Sequence, residues 1–227
     1  MGVEVSAPVE SARAETARAL PRATVDRLPR YLRALDELDA QGVVTTSSAT
    51  LAVVAGVGSA QLRKDLSFLG SHGRRGVGYD VTHLRGRIAA ALGVTSRQRV
   101  VIVGIGNLGH ALANYAGFGD RGFTVVALVD VDPAVVGTQV AGMTVRHLDD
   151  LDDLVGTLGA TIAVLAVPTS AAQRVCDVVV RAGVGGVLSF SSRDLVVPDG
   201  VDLRTVDVGA ELQILAFHGR RRQLPDA

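Results

Sequence analysis

"VVIVGIGNLGHALANY", residues 100–115, decides how the rest of the chain is read. An uninterrupted aliphatic run ends at Gly104, and Gly106 and Gly109 follow before a helix-forming segment. Each glycine in this G-x-G-x-x-G pattern has a distinct task. Gly104 permits a tight turn, Gly106 lets a pyrophosphate approach the backbone, and Gly109 lets helix and strand pack closely. The phosphates would then meet the free N–H groups of a helix start. These residues predict a dinucleotide-binding turn in which Ile105, Asn107 and Leu108 line the loop and first helical turn. The next strand, "FTVVALVD", ends at Asp130, 26 residues after Gly104. A carboxylate there can accept hydrogen bonds from the adenosine ribose and would repel a 2′-phosphate, and "DVDP" supplies no arginine. NAD(H) is therefore expected over its phosphorylated form. Val167 and Pro168 in "AVPTS" close another strand and are expected at the same carboxyl edge of the sheet.

Strand and helix patterns alternate from residue 86 onward. "RVVIVG", "FTVVALVD", "MTVRH", "TIAVLAVP", "GVLSF" and "VDLRTVD" read as strands separated by helical segments. Nearly continuous apolar strands imply a parallel sheet covered on both faces. The last segment, "VGAELQILAFHGRRR", is a helix carrying Leu212, Ile214, Leu215 and Phe217 with few charges. It is expected to be buried on several sides.

The first half has a different character. "TVDRLPRYLRALDELDAQG" places Leu28, Leu32, Leu35 and Leu38 at helical spacing, with Thr24 or Asp26 as cap and Gly42 as stop. "TSSATLAVVAG" is a short helix capped by Ser47 or Ser48. "SAQLRKDLSFLG" is a second, capped by Ser59, with Leu62, Leu66 and Leu69 inward. Two such helices joined by a glycine turn make a helix-turn-helix pattern. "GSHGRRGVGYDV" suits a β-hairpin wing, with Arg74 and Arg75 near its tip and Tyr79 on the return strand. The second helix of such a unit enters the major groove, so Ser59, Gln61, Arg63 and Lys64 are candidate DNA contacts. Arginines on a hairpin can reach a narrow minor groove. Residues 59–87 carry six Arg or Lys against two Asp, in a chain of zero net charge. A small helical dimerisation module with a solvated charged face would show much of the same pattern, and both readings stay open.

Composition narrows the classes. Hydrophobic residues at 48% supply an aliphatic core, and no apolar run is long enough for a membrane span. Residues 1–22 read as a flexible tail without the apolar stretch of a signal peptide, and the chain reads as cytoplasmic. Cys176 stands alone, which excludes an internal disulfide and reads as a buried helical thiol. The histidines, His72, His83, His110, His147 and His218, pair with no carboxylate by spacing, so neither a catalytic constellation nor a metal cluster is expected. The nucleotide is read as a ligand, not a reagent.

Taken in order, "SAQLRKDLSFLG", "GVGYDV", "VVIVGIGNLGHALANYAGFG", "VDVDP", "AVPTSAAQ" and "TVDVGAEL" resemble the redox-sensing transcriptional repressor Rex family over roughly residues 24–218. The resemblance implies a cytoplasmic homodimer that binds operator DNA and leaves it when NADH replaces NAD⁺. It implies an α/β fold: an N-terminal winged-helix domain (23–85), a Rossmann-like parallel-sheet domain (86–206) and a C-terminal domain-swapped helix with its tail (207–227). By similarity, Arg33, Tyr115 and Asp207 match a signalling trio. Without the resemblance, Arg33 reads as a solvated or intrahelical partner, Tyr115 as core and Asp207 as a helix cap. Val208 stands where some members carry an aromatic residue near the nicotinamide. A small NAD-dependent oxidoreductase with a dimerisation module, and a coenzyme A-binding regulator, are the alternative readings.

Overall fold

The computed structural model describes residues 20–70, 73–74 and 77–223. The chain divides after Ser96 into two compact units. Arg75 and the expected N-terminal tail as far as residue 19 lie outside the described residues.

The first unit opens with α1 (Arg22–Val25) and α2 (Leu28–Ala40). Along α2, Leu28, Tyr31, Ala34, Leu35 and Leu38 are buried at helical spacing, while Leu32 is only half-buried. Neither Thr24 nor Asp26 caps this helix. Its N-cap is Arg27, without a side-chain hydrogen bond, and Thr24 is buried within α1. After β1 (Thr45–Thr46), the helix α3 (Ser48–Val54) is capped by Ser47, whose Oγ accepts from the Thr50 N–H at 3.0 Å. Gly56, at φ +65°, turns the chain into α4 (Ser59–Ser67). The N-cap of α4 is Gly58; Ser59 is one residue inside the helix and makes no capping bond.

The hairpin β2 (Gly73–Arg74) and β3 (Gly78–Asp80) joins β1 in an antiparallel sheet of order β1-β3-β2. Gly78 is required there: its φ is +100°, and a Cβ would lie 2.3 Å from the Thr46 carbonyl oxygen. Next, α5 (Val81–Ala91) is capped by Asp80 and buries Val81, Leu84 and Ile88 in the core of the first unit. Arg85 also pairs with Asp39 of α2. The domain boundary expected after residue 85 falls within this helix, whose apolar stripe belongs to the first core.

The second unit is a seven-stranded sheet of β4 (Gln98–Val103), β5 (Phe123–Asp130), β6 (Gln139–Val140), β7 (Met143–His147), β8 (Ile162–Leu165), β9 (Gly186–Ser189) and β10 (Asp202–Thr205). Its order is β10-β9-β8-β4-β5-β7-β6. All pairs are parallel except β6 with β7. That antiparallel hairpin, which the apolar pattern does not disclose, turns at Ala141 and Gly142, both with positive φ. Helices α6 (Asn107–Ala113), α7 (Gly117–Asp120), α8 (Leu151–Leu158) and α9 (Thr169–Arg181) connect the strands. Val101 and Val103 of β4 enter one core cluster and Val100 and Ile102 the other, as a strand covered on both faces requires. The terminal α10 (Val208–Gln223) leaves Leu212, Ile214, Leu215 and Phe217 exposed within this single chain. Among the described residues no helix is long and apolar enough to cross a membrane.

One polar cluster sits at the heart of the first unit. Asp65 of α4 is fully buried. It accepts hydrogen bonds from Thr24 Oγ1 (3.0 Å), Arg27 Nε (2.6 Å) and Nη2 (2.8 Å), Tyr31 Oη (2.6 Å) and Gln61 Nε2 (2.9 Å). Burial alone would raise the carboxyl, but the bonds from Arg27, Tyr31, Thr24 and Gln61 outweigh it and hold the group well below the usual carboxylate range. Burial, reinforced by the bond to Asp65, pushes the Tyr31 hydroxyl up to about 12.

The cluster makes the stability of the first unit depend on pH at both the acid and the alkaline end. A depressed carboxyl stabilises the fold fully above its unfolded value, about 4, and that stabilisation fades as pH falls further. A raised phenol stabilises it below about 10, and the contribution is lost as pH climbs through the folded value. Asp65→Ala strands buried donors and is expected to cost about 3–5 kcal/mol. Denaturant unfolding followed by circular dichroism measures the loss; wild-type stability in the variant would contradict the assignment.

Candidate functional site

The strand order creates the first candidate site. β4 lies between β8 and β5, and the direction of strand succession reverses between β4 and β8. Ligands of open α/β sheets bind beyond the carboxyl ends of the strands at this reversal. The glycine loop leaves β4 there, and Val167 and Pro168 follow β8.

The three glycines are distinguished by what surrounds them. Gly104 has φ +92°, and a Cβ on it would stand 2.7 Å from both the Ala166 carbonyl oxygen and Val167 Cγ1. A Cβ on Gly109 would stand 1.8 Å from the Gly104 carbonyl oxygen. A Cβ on Gly106 would meet nothing within 4 Å. Two glycines therefore serve the protein's own packing, and the third faces open space that a ligand can fill. Gly106 is also the N-cap of α6, and no side chain caps the first turn of that helix. Ile105 is buried, and Leu108 is exposed. Pro168 holds the matching position at the start of α9.

Asp130 ends β5 and is already engaged. Its Oδ2 accepts from the Ile105 N–H at 2.6 Å, and its Oδ1 from the N–H groups of Val131 (2.6 Å) and Asp132 (2.9 Å). The carboxylate thus ties the glycine loop to the second strand. This role was not legible in the sequence, because it depends on two strand ends meeting in register. Asp132 accepts from the Ala134 N–H at 2.9 Å and serves the turn.

The second candidate site is α4 and its wing. Arg63 and Lys64 are exposed, on the face opposite Leu62, Asp65 and Leu66. Arg63 Nη1 donates to Ser48 Oγ at 3.2 Å, tying α4 to α3. Gln61 is exposed, yet its amide donates inward to Asp65. Ser59 is half-buried. Arg74 lies in β2, and Tyr79 is half-buried against the core of the first unit, its ring beside Gly73.

Arg33 is exposed on α2. Tyr115 follows α6 and is 49% exposed rather than core, its ring edge-to-face with Phe118 at 5.2 Å. Asp207 accepts from the Ala210 N–H at 3.1 Å through Oδ1 and so caps α10. Val208 is exposed. Cys176 is buried, which pushes its thiol up. Among the described residues no group of three or more His, Cys, Asp or Glu could hold a metal ion.

A family profile described as "Putative DNA-binding protein N-terminus" matches residues 19–67, and one described as "CoA binding domain" matches residues 72–193. The chain is 56% identical to the redox-sensing transcriptional repressor Rex of Streptomyces griseus over 94% of its own length and 85% of the relative's. It is similar to the crystal structure of RSP, a Rex-family repressor, in complex with β-NAD⁺ and operator DNA: 33% identity, 90% of this chain, 94% of that one, TM-score 0.84. The β-NADH complex of RSP matches at 32% identity over 90% and 96% of the two chains, with TM-score 0.81.

The glycines separate folding from binding. Gly109→Ala forces a Cβ into backbone and is expected to destabilise the second unit by about 1–3 kcal/mol or more. Gly106→Val fills open space, so it should melt like wild type yet lose NADH binding by at least an order of magnitude. Thermal unfolding and calorimetry on the two variants measure both effects. A Gly106→Val protein that binds NADH normally would remove the glycine loop from the binding site.

Proposed function

The chain belongs to the Rex family of redox-sensing transcriptional repressors, and from that premise we propose that it represses transcription according to the balance of NADH and NAD⁺. The observation that carries the reading is a solved relative, bound to both β-NAD⁺ and operator DNA, that matches the two units of this chain together. In this reading the work divides among the winged helix (expected as 23–85, with α5 completing its unit as far as Ser96), the NAD(H) domain (as far as 206) and the terminal helix with its tail (207–227). It acts in the cytoplasm, where operator and nucleotide pool are both available.

The first unit binds the operator. α4 enters the major groove, where Arg63, Lys64 and Gln61 reach base edges or phosphates and Ser59 lies at the helix start. The wing brings Arg74, Arg75 and Tyr79 to the adjacent backbone or minor groove. The second unit binds the nucleotide. The pyrophosphate lies on Ile105, Gly106, Asn107, Leu108 and Gly109, and the adenosine ribose uses the remaining acceptor capacity of Asp130. The rest of the ligand runs along Gly104, Val167 and Pro168. A 2′-phosphate beside Asp130 would set like charges together, which favours NAD(H). The "CoA binding domain" profile keeps coenzyme A as a rival ligand; calorimetry with coenzyme A and NADH separates the two.

Reduction adds a hydride to the nicotinamide and removes its positive charge. DNA release requires that the two redox forms prefer different arrangements of the protein, because a ligand shifts an equilibrium only by its differential affinity. Homodimerisation supplies such arrangements. Leu212, Ile214, Leu215 and Phe217 are 51–62% exposed on α10. Covering the exposed half of side chains of this size yields about 1 kcal/mol each, which supports insertion of α10 into a second copy of the chain. Arg33, Tyr115 and Asp207 are the proposed switch residues whose bonds are remade between states.

Fluorescence anisotropy with operator duplex selected from random DNA tests the reading. NADH should release the duplex and NAD⁺ should not, and Arg63→Ala or Lys64→Ala should each cost about 1–3 kcal/mol where a base is read. Full operator affinity in the double variant would remove α4 from the interface. Truncation after Val206 should give monomer or aggregate by sedimentation, with operator binding lost. A truncated dimer still released by NADH would refute the role of α10.

A further inference from the structure

A recognition helix needs more than burial to do its work. Apolar contacts such as those of Leu62 and Leu66 are non-directional and let a helix roll in its seat. Hydrogen bonds are directional, and those to a charged group are the strong ones. α4 has both. Asp65 follows directly after Arg63 and Lys64 and points to the opposite side, into the unit. There its carboxylate is held by Thr24 of α1, by Arg27 at the entry of α2, by Tyr31 of α2 and by Gln61 of α4 itself. Thr24 and Tyr31 are themselves buried, so water does not replace them as donors.

The geometry sets the consequence. Side-chain atoms lie about 5–6 Å from a helix axis, so a roll of roughly 20° carries them about 2 Å. A base-edge contact does not survive that displacement. A phosphate contact does, because long basic side chains re-aim toward a diffuse line of charge. We propose that Asp65, held by Thr24 and Tyr31, is the positioning group that sets the rotation of α4, and so governs sequence discrimination rather than total affinity for DNA. This rests on the reading of α4 as the recognition helix.

The test uses substitutions that leave the carboxylate in place. Thr24→Val removes the donor at nearly constant shape, Thr24→Ser keeps the donor and removes a methyl group, and Tyr31→Phe removes only the hydroxyl. Each full-length variant is titrated by anisotropy against the selected operator and a scrambled duplex of equal length, below its unfolding transition. Thr24→Val and Tyr31→Phe should lower the operator-to-scrambled affinity ratio by roughly tenfold. Scrambled affinity, its salt dependence and the NADH dissociation constant should stay at wild-type values. Thr24→Ser should keep the wild-type ratio. Three results overturn the proposal: an unchanged ratio in Thr24→Val and Tyr31→Phe, an equal loss on both duplexes, or a Thr24→Ser loss as large as that of Thr24→Val. Failure of the wild-type protein to prefer the operator would instead overturn the reading of α4, and the proposal with it.

Discussion

A carboxylate withdrawn from water must be met by donors or it will not stay charged. Asp65 shows this constraint in its strongest form. It is a fully buried charge surrounded by donors from α1, α2 and α4. The carboxylate therefore ties those three elements together by directional bonds, beside the Arg85–Asp39 pair that joins α2 to α5. Asp130 repeats the theme in the second unit at lower burial, where the same type of group gathers the glycine loop and the exit of β5. In each unit a carboxylate holds the element for which ligand contact is proposed.

Much of this was legible in the sequence because it rests on short-range pattern. Helical spacing of Leu28, Leu35 and Leu38, the strand of Val100 to Val103, and three glycines at fixed offsets are local signals, and each element formed where its pattern placed it. The glycine roles were readable for the same reason: a sharp turn and close packing both forbid a Cβ. What escaped were interactions between distant residues. Asp65 shares the helical face of Leu62, Leu66 and Leu69, yet nothing local shows that Thr24, Arg27 and Tyr31 converge on it from about forty residues away. Thr24 was expected as a cap for that reason; its hydroxyl serves a partner outside its own helix. Val81, Leu84 and Ile88 showed their stripe, but not which core would receive it. The β6–β7 hairpin has Ala-Gly in place of the usual Asn-Gly turn, so its signal was weak.

The candidate sites are also partly local and partly not. The glycine loop and α4 are contiguous stretches and stood out. The engagement of Asp130 with Ile105 appears only when the strand ends are brought together, whereas Gln61 and Asp65 are one helical turn apart in the same helix. Asp207 illustrates how two readings coexist: it caps α10 through Ala210, and a cap at the base of an apolar, exposed helix is also where a signal could enter that helix.

In the proposed function one free energy links the nucleotide in the second unit to DNA on the first. Coupling of this kind is reciprocal: if NADH weakens operator binding by some factor, operator must weaken NADH binding by the same factor. Calorimetric titration of NADH into the full-length protein, alone and saturated with operator duplex, measures it directly. The account predicts that operator raises the NADH dissociation constant by the factor seen in the DNA titration. An NADH dissociation constant identical with and without operator would contradict it.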